Sequence, residues 1–162
     1  MKTRLAKNVA SALTEMEVEY SAFKGVFEMT GLDLELYPET DLIENVSMIL
    51  STNKYGLDIS CFAKMSSTII PSDQLTELVK FISHINIEEL TCMDRDCIRA
   101  KHLSINCMEN AFELNCFAVM KGDTDTNDIE YVIDSVLEEF GLVISDMLKL
   151  FEGKTAQDVI FE

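Results

Sequence analysis

From Asn127 to Gly153, apolar residues recur in steps of three and four: Ile129, Val132, Ile133, Val136, Leu137, Phe140, Val143, Ile144, Met147, Leu148 and Phe151. That spacing lays them on one stripe of an α-helix over about 127–152, widened by Leu142 and Leu150. Asn127 with Glu130 three residues on predicts a capping box. Asp128 suits the positive end of the helix and Lys149 the negative end, and Gly153 can take the left-handed conformation that stops it. A stripe this long and wide needs a sheet or several helices to cover it.

The chain opens with a second helical pattern, Leu5, Val9, Leu13, Met16, Tyr20, Phe23 and Phe27, read as a helix over about 5–25. Gly25 is the nearer stop and Thr30–Gly31 the later one. Leu32, Leu34 and Leu36 alternate with Asp33 and Glu35, predicting a half-buried strand at about 32–36. Strands at about 42–51 and 56–65 follow, joined as a hairpin by Thr52–Asn53–Lys54–Tyr55. In the second of them Leu57, Ile59, Cys61, Ala63 and Met65 share one face, with Asp58, Ser60, Phe62 and Lys64 on the other.

Pro71, Ser72 and Asp73 announce a helix over about 72–84 that buries Leu75, Leu78, Val79 and Ile82. Asn86 with Glu89 reads as the cap of a further short turn. A second hairpin spans about 101–108 and 111–120, turning at Glu109–Asn110. Leu103, Ile105 and Cys107 face the core on one arm; Phe112, Leu114, Cys116, Ala118 and Met120 do so on the other. Strands joined by tight turns must run antiparallel. The expectation is therefore one α+β domain over 1–162, with an antiparallel sheet of about five strands in the order α-β-β-β-α-β-β-α. Its first and last helices would pack on one sheet face.

A chain of 162 residues can bury roughly two thirds of its unfolded surface. With 48% hydrophobic residues, two prolines and six glycines, it has ample material for a core. The formal net charge of −16 opposes nucleic-acid backbones and anionic membranes as partners, because both demand a basic face. Lys2, Arg4 and Lys7 lead the chain, but Lys7, Asn8, Ser11 and Thr14 break any apolar run a signal peptide would need. A cytoplasmic location is expected. Five cysteines (Cys61, Cys92, Cys97, Cys107 and Cys116) follow no disulfide-framework spacing, and three lie in apolar strand patterns, which reads as reduced thiols.

The segment Ile59-Ser-Cys-Phe-Ala-Lys-Met65, Pro71, His84-Ile-Asn-Ile-Glu-Glu-Leu-Thr91 and Phe117-Ala-Val-Met-Lys-Gly122, in this order of elements, resembles the YbjN family, the bacterial sensory transduction regulators. The resemblance runs from about Phe27 onward and rests on apolar pattern and element order. It implies a fold shared with type III secretion chaperones and a non-enzymatic, regulatory or chaperone-like role. It carries no catalytic residues with it.

Candidate chemistry is sparse. Cys92 and Cys97, flanked by His84 and His102, form a single loose pair where structural zinc sites show two tight ones. A metal- or thiol-dependent enzyme built on these four is the alternative reading. Glycine-rich phosphate loops are absent, and Asp123–Asp128 lacks the central glycine and the twelfth-position glutamate of a calcium loop. No cofactor is expected. Binding is better served: Ile49, Phe62, Met108, Phe117 and Val119 interrupt the polar face of the strands. If helices cover only one side of the sheet, these five form a surface for a protein partner or a second copy of the chain.

Overall fold

The computed structural model describes residues 3–37, 39–66, 70, 72–89, 98–106, 109–120 and 123–161. The first helix, α1 (Arg4–Glu15), starts on Thr3, whose Oγ1 accepts the N–H of Ala6 at 3.1 Å. It ends ten residues before the expected boundary. Glu17 takes φ 59°, its N–H donates to the Thr14 carbonyl and the N–H of Val18 donates to that of Leu13. Those bonds close a Schellman motif with glutamate in the left-handed position. The chain then forms two short strands, β1 (Ser21–Phe23) and β2 (Val26–Met29). Lys24 (φ 50°) and Gly25 (φ 78°) join them in a two-residue hairpin turn with both φ angles positive. A Cβ on Gly25 would stand 2.7 Å from Thr52 Oγ1.

The predicted strand at 32–36 is not a strand. Leu32, Leu34 and Leu36 are half-buried and packed against the core, but this stretch crosses the last long helix instead of joining the sheet ladder. The Leu32 N–H donates to the Val46 carbonyl at 3.0 Å, and the Tyr37 N–H donates to Ser145 Oγ at 3.0 Å. Alternation demands burial of every second side chain, and a loop laid along the rim of a core meets that demand as well as a strand does.

The hairpin β3 (Ile43–Asn53) and β4 (Gly56–Met65) forms as expected. Asn53 Oδ1 accepts the N–H groups of Tyr55 and Gly56 at its turn. A Cβ on Gly56 would lie 2.0 Å from the Ala118 carbonyl oxygen, so only glycine lets β4 meet the next strand there. Helix α2 (Ser72–His84) buries Leu78 and Phe81, not the expected Leu75 and Val79, which are exposed. It runs into a π-helical turn, Ile85–Glu89, that sends Ile85 into the core. Strands β5 (Ile98–Asn106) and β6 (Ala111–Val119) form the second hairpin, and β5 starts earlier than expected. Asn110 holds φ 52° at the turn. Cys107 and Met108 lie outside the described residues.

The six strands make one antiparallel sheet in the order β1-β2-β3-β4-β6-β5, one strand more than expected. Helix α3 (Thr126–Phe151) buries the predicted stripe and stops at Gly153, φ 98°. Its cap is Asp125, whose Oδ1 accepts the Asp128 N–H at 2.9 Å; Asn127 lies inside the first turn. Leu150 is buried but Leu142 faces out. A short helix, α4 (Ala156–Ile160), follows and was not expected. Thr155 and Asp158 form its capping box. The Ala156 N–H donates to Glu77 Oε2 of α2 at 2.7 Å, which holds that carboxyl below its ordinary titration range.

Core-facing side chains of the sheet (Met48, Leu50, Ile59, Cys61, Phe112, Leu114) are at most 1% exposed and join one cluster with α1, α2 and α3. α3 packs on α1, α2, α4 and β6, so the helices form a single layer on one side of the sheet. The architecture is α+β in two layers.

Candidate functional site

The second face of the sheet follows directly from strand parity. Along β4 its side chains are Asp58, Ser60, Phe62 and Lys64; along β3 they are Asn45, Ser47, Ile49 and Ser51. β6 contributes Glu113, Asn115, Phe117 and Val119, and β5 contributes His102, Ser104 and Asn106. None of these is buried, although Ala111, which shares their face opposite Lys64, is; α2, which could have covered this face, packs against α3 and α4 instead. Four of the five expected binding residues therefore stand on a face that no described helix covers: Ile49, Phe62 and Phe117 partly exposed, Val119 43% exposed. Met108 falls outside the described residues.

The four do not form one patch. Ile49 pairs across the strands with Ser60, which places Phe62 as its diagonal neighbour. Phe117 and Val119 are two residues apart on β6. Between the two islands lies a polar row, where Ser60 Oγ donates to Asn115 Oδ1 at 2.8 Å.

Three of these four apolar residues also have a carboxylate directly across a strand, while Val119 pairs with Gly56. Ile49 faces Glu28, Phe62 faces Glu113 and Phe117 faces Asp58. Parity alone could have placed Ile49, Phe62, Phe117 and Val119 here. The carboxylate partners needed the register, which pattern reading does not supply.

The alternative set is dispersed. His84 sits in the last turn of α2, in the helix layer, while His102 is exposed on the opposite sheet face. Cys92 and Cys97 lie outside the described residues. Among the described residues no group of three His, Cys, Asp or Glu is arranged to hold a metal.

Cys61 and Cys116 are free and buried. Burial pushes the Cys61 thiol up, and burial pushes Cys116 up to about 12 against the attraction of Lys101. Both therefore stay protonated at neutral pH and act as small core hydrophobes. Lys101 reaches from β5 to pair with Glu139 of α3, tying the sheet edge to the helix layer.

A separate groove of about 790 Å³ lies between the loop from Gly31 to Leu36 and the stretch from Glu39 to Val46. It is lined by Asp33, Glu35, Glu39, Asp41 and Glu44, so it repels anions. Among the described residues, no helix is long and apolar enough to cross a membrane. Comparison of the chain with family models, with curated proteins and with solved structures finds no match in any of the three.

Proposed function

We propose that this chain is a non-enzymatic, cytoplasmic protein-binding module, chaperone-like or regulatory, that holds a partner polypeptide against the open face of its sheet. The observation that supports it is one-sided packing: among the described residues the helices α1 to α4 belong to one layer, and Ile49, Phe62, Phe117 and Val119 remain on the other side. Folding alone gives no reason to place two phenylalanines there, since neither belongs to the buried cluster.

The chemistry of the face also describes its partner. Apolar residues opposite Glu28, Asp58 and Glu113, in a chain of net charge −16, suit a segment that alternates apolar and basic side chains. A second acidic copy of the chain suits this face less well, and nucleic acid or an anionic bilayer less still. The YbjN-type reading implies three strands after the first helix and a closing long helix; the chain has four strands there, with β1 and β2 lying where that helix was expected to continue, and α4 after α3. That resemblance favours the same non-enzymatic role.

The test is a pull-down from native lysate with the tagged wild-type chain and its charge-retaining variants Phe62→Ser and Phe117→Ser, run beside light scattering. The wild type is expected to retain a discrete stoichiometric partner, and each variant to lose most of it while keeping a native melting transition. Variants that keep all partner binding and self-association would overturn the proposal.

A further inference from the structure

The stretch from Leu32 to Leu36 alternates as a strand does, with Leu32, Leu34 and Leu36 half-buried and Asp33 and Glu35 exposed, yet it belongs to no strand of the sheet. Three contacts fix the direction of its backbone. The Leu32 N–H donates to the Val46 carbonyl of β3, whereas the Tyr37 N–H donates to Ser145 Oγ of α3. The Glu35 carbonyl oxygen also lies against α3, 3.9 Å from where a Cβ on Gly141 would stand. In an extended chain, residues two apart turn their backbone groups to the same side. Odd-numbered residues here face α3, so Leu34 and Leu36 turn theirs to the side that Leu32 uses, toward β3. Neither the N–H nor the C=O of Leu34 or Leu36 has a hydrogen-bond partner among the described residues.

β3 is open on the same side. β2 pairs with it only as far as Met48, the Leu32–Val46 bond ends the ladder, and β3 runs on past that bond through a bulge between Ile43 and Asn45. From there the two chains diverge as a fork, and the groove of about 790 Å³ lies between its arms. One arm is the five residues from Leu32 to Leu36, about 16 Å of extended chain. It brings the exposed carboxylates of Asp33 and Glu35, and the other arm brings those of Glu39, Asp41 and Glu44. Among the described residues the lining holds no lysine or arginine, and no three of these acids are arranged to hold a metal ion. Charge spread in this way suits a row of spaced cations better than a single ion.

We propose that the fork is a strand-addition slot, and that its occupant is an extended segment of a partner polypeptide with lysine or arginine at alternate positions. The segment pairs its backbone with that of Leu34 and Leu36, which turns this stretch into the strand its alternation predicts. Its cations project to one face, where Asp33 and Glu35 meet them. A second copy of the chain suits the slot poorly, with 29 acidic residues against 13 basic ones. Ile49, Phe62, Phe117 and Val119 do not line the groove, so this inference does not rest on the open sheet face.

The probe is an acetylated, amidated octapeptide of alternating lysine and threonine, titrated with the full chain and followed by fluorescence anisotropy of a dye on the peptide. Binding is expected to protect the amide protons of Leu34 and Leu36 from exchange, read by NMR, and to leave those of Asp33 and Glu35 unprotected. The same peptide N-methylated at alternate residues keeps its charge and loses the donors of one edge, so it is expected to bind on the order of tenfold more weakly. Asp33→Asn with Glu35→Gln, both at exposed positions, is expected to weaken the unmethylated peptide by about tenfold as well. Phe62→Ser is expected to leave its affinity unchanged. Absence of binding, binding that N-methylation leaves intact, or binding without protection at Leu34 and Leu36 overturns the proposal. Binding lost in Phe62→Ser and kept in the carboxylate variant would place the peptide on the open face, which overturns the slot and leaves the protein-binding reading standing. Protection of the same two amides by calcium alone would assign the groove to a cation and would also overturn it.

Discussion

The two faces of one sheet obey different rules. Toward the helices β4 and β6 present Leu57, Ile59, Cys61, Ala63, Phe112, Leu114 and Ala118, all apolar and at most 5% exposed. Away from them the same strands present Asp58, Ser60, Phe62, Lys64, Glu113, Asn115 and Phe117. The first face is specified by shape and exclusion of water, which leaves no room for a polar atom without a partner. On the second, polar and apolar residues are interleaved, and a carboxylate stands opposite each larger apolar side chain. A solvated face made only for solubility would hold the carboxylates and omit the phenylalanines.

β6 allows that contrast to be tested within a single strand. Phe112 is fully buried against the helix layer, with its ring centroid 6.4 Å from that of Phe151, and Phe117 points to the open face. Phe112→Ala is expected to cost about 3–5 kcal/mol in urea unfolding, as large-to-small changes in a packed core do. Phe117→Ala is expected to cost about 1 kcal/mol or less, near the range of surface substitutions. Equal losses at the two sites would mean that both faces are core, and the binding reading would lose its basis.

A smaller effect of opposite sign is expected where the chain leaves the helix layer for the sheet. Glu17 is exposed and holds φ 59° in the Schellman turn after α1. A non-glycine residue in that conformation carries a steric cost that glycine lacks, so Glu17→Gly should stabilise the fold by about 0.5–1 kcal/mol. Glu17 is exposed and belongs to no strand, so partner binding should not change. A loss of stability would mean that the glutamate side chain makes a contact worth more than the strain it carries.

The long elements were legible because each buries one face for its whole length, which writes its period into the sequence: α3, β3, β4 and β6 were read this way. Short elements leave no such record. Tyr20, Phe23 and Phe27 fit a helical spacing, yet Phe27 is buried on β2, Phe23 is 73% exposed on β1, and Lys24–Gly25 between them is a hairpin turn. The capping signal of α4, Thr155 with Asp158 three residues on, was present but preceded only one turn of helix. Open-face residues were found by parity, which is a property of single strands. What they face depends on register between strands far apart in sequence, and the bonds between the Asn86 side chain and the Leu103 backbone depend on tertiary docking of the π-helical turn against β5. No local pattern encodes either.

The smallest expected effect separates helix packing from sheet packing through pH. Glu130, in the first turns of α3, is half-buried and meets Glu15 at the end of α1, with Asp134 nearby. Burial, a hydrogen bond with Glu15 and repulsion from both acids raise its carboxyl above the ordinary range. A folded-state value above the unfolded one means that protonation stabilises the fold. That contribution is complete below the unfolded value and is lost as pH rises through the raised one. Glu15→Gln removes the neighbouring charge and keeps a hydrogen-bonding group, so it should melt above the wild type at pH 7. The gap should close as pH falls through the carboxylate range, where wild-type Glu130 becomes protonated and the repulsion disappears. Thermal melts of both proteins across that range are the measurement. A gap that persists into acid would place the effect of Glu15→Gln in helix propensity or packing, and would leave the α1–α3 contact without a titrating group of its own.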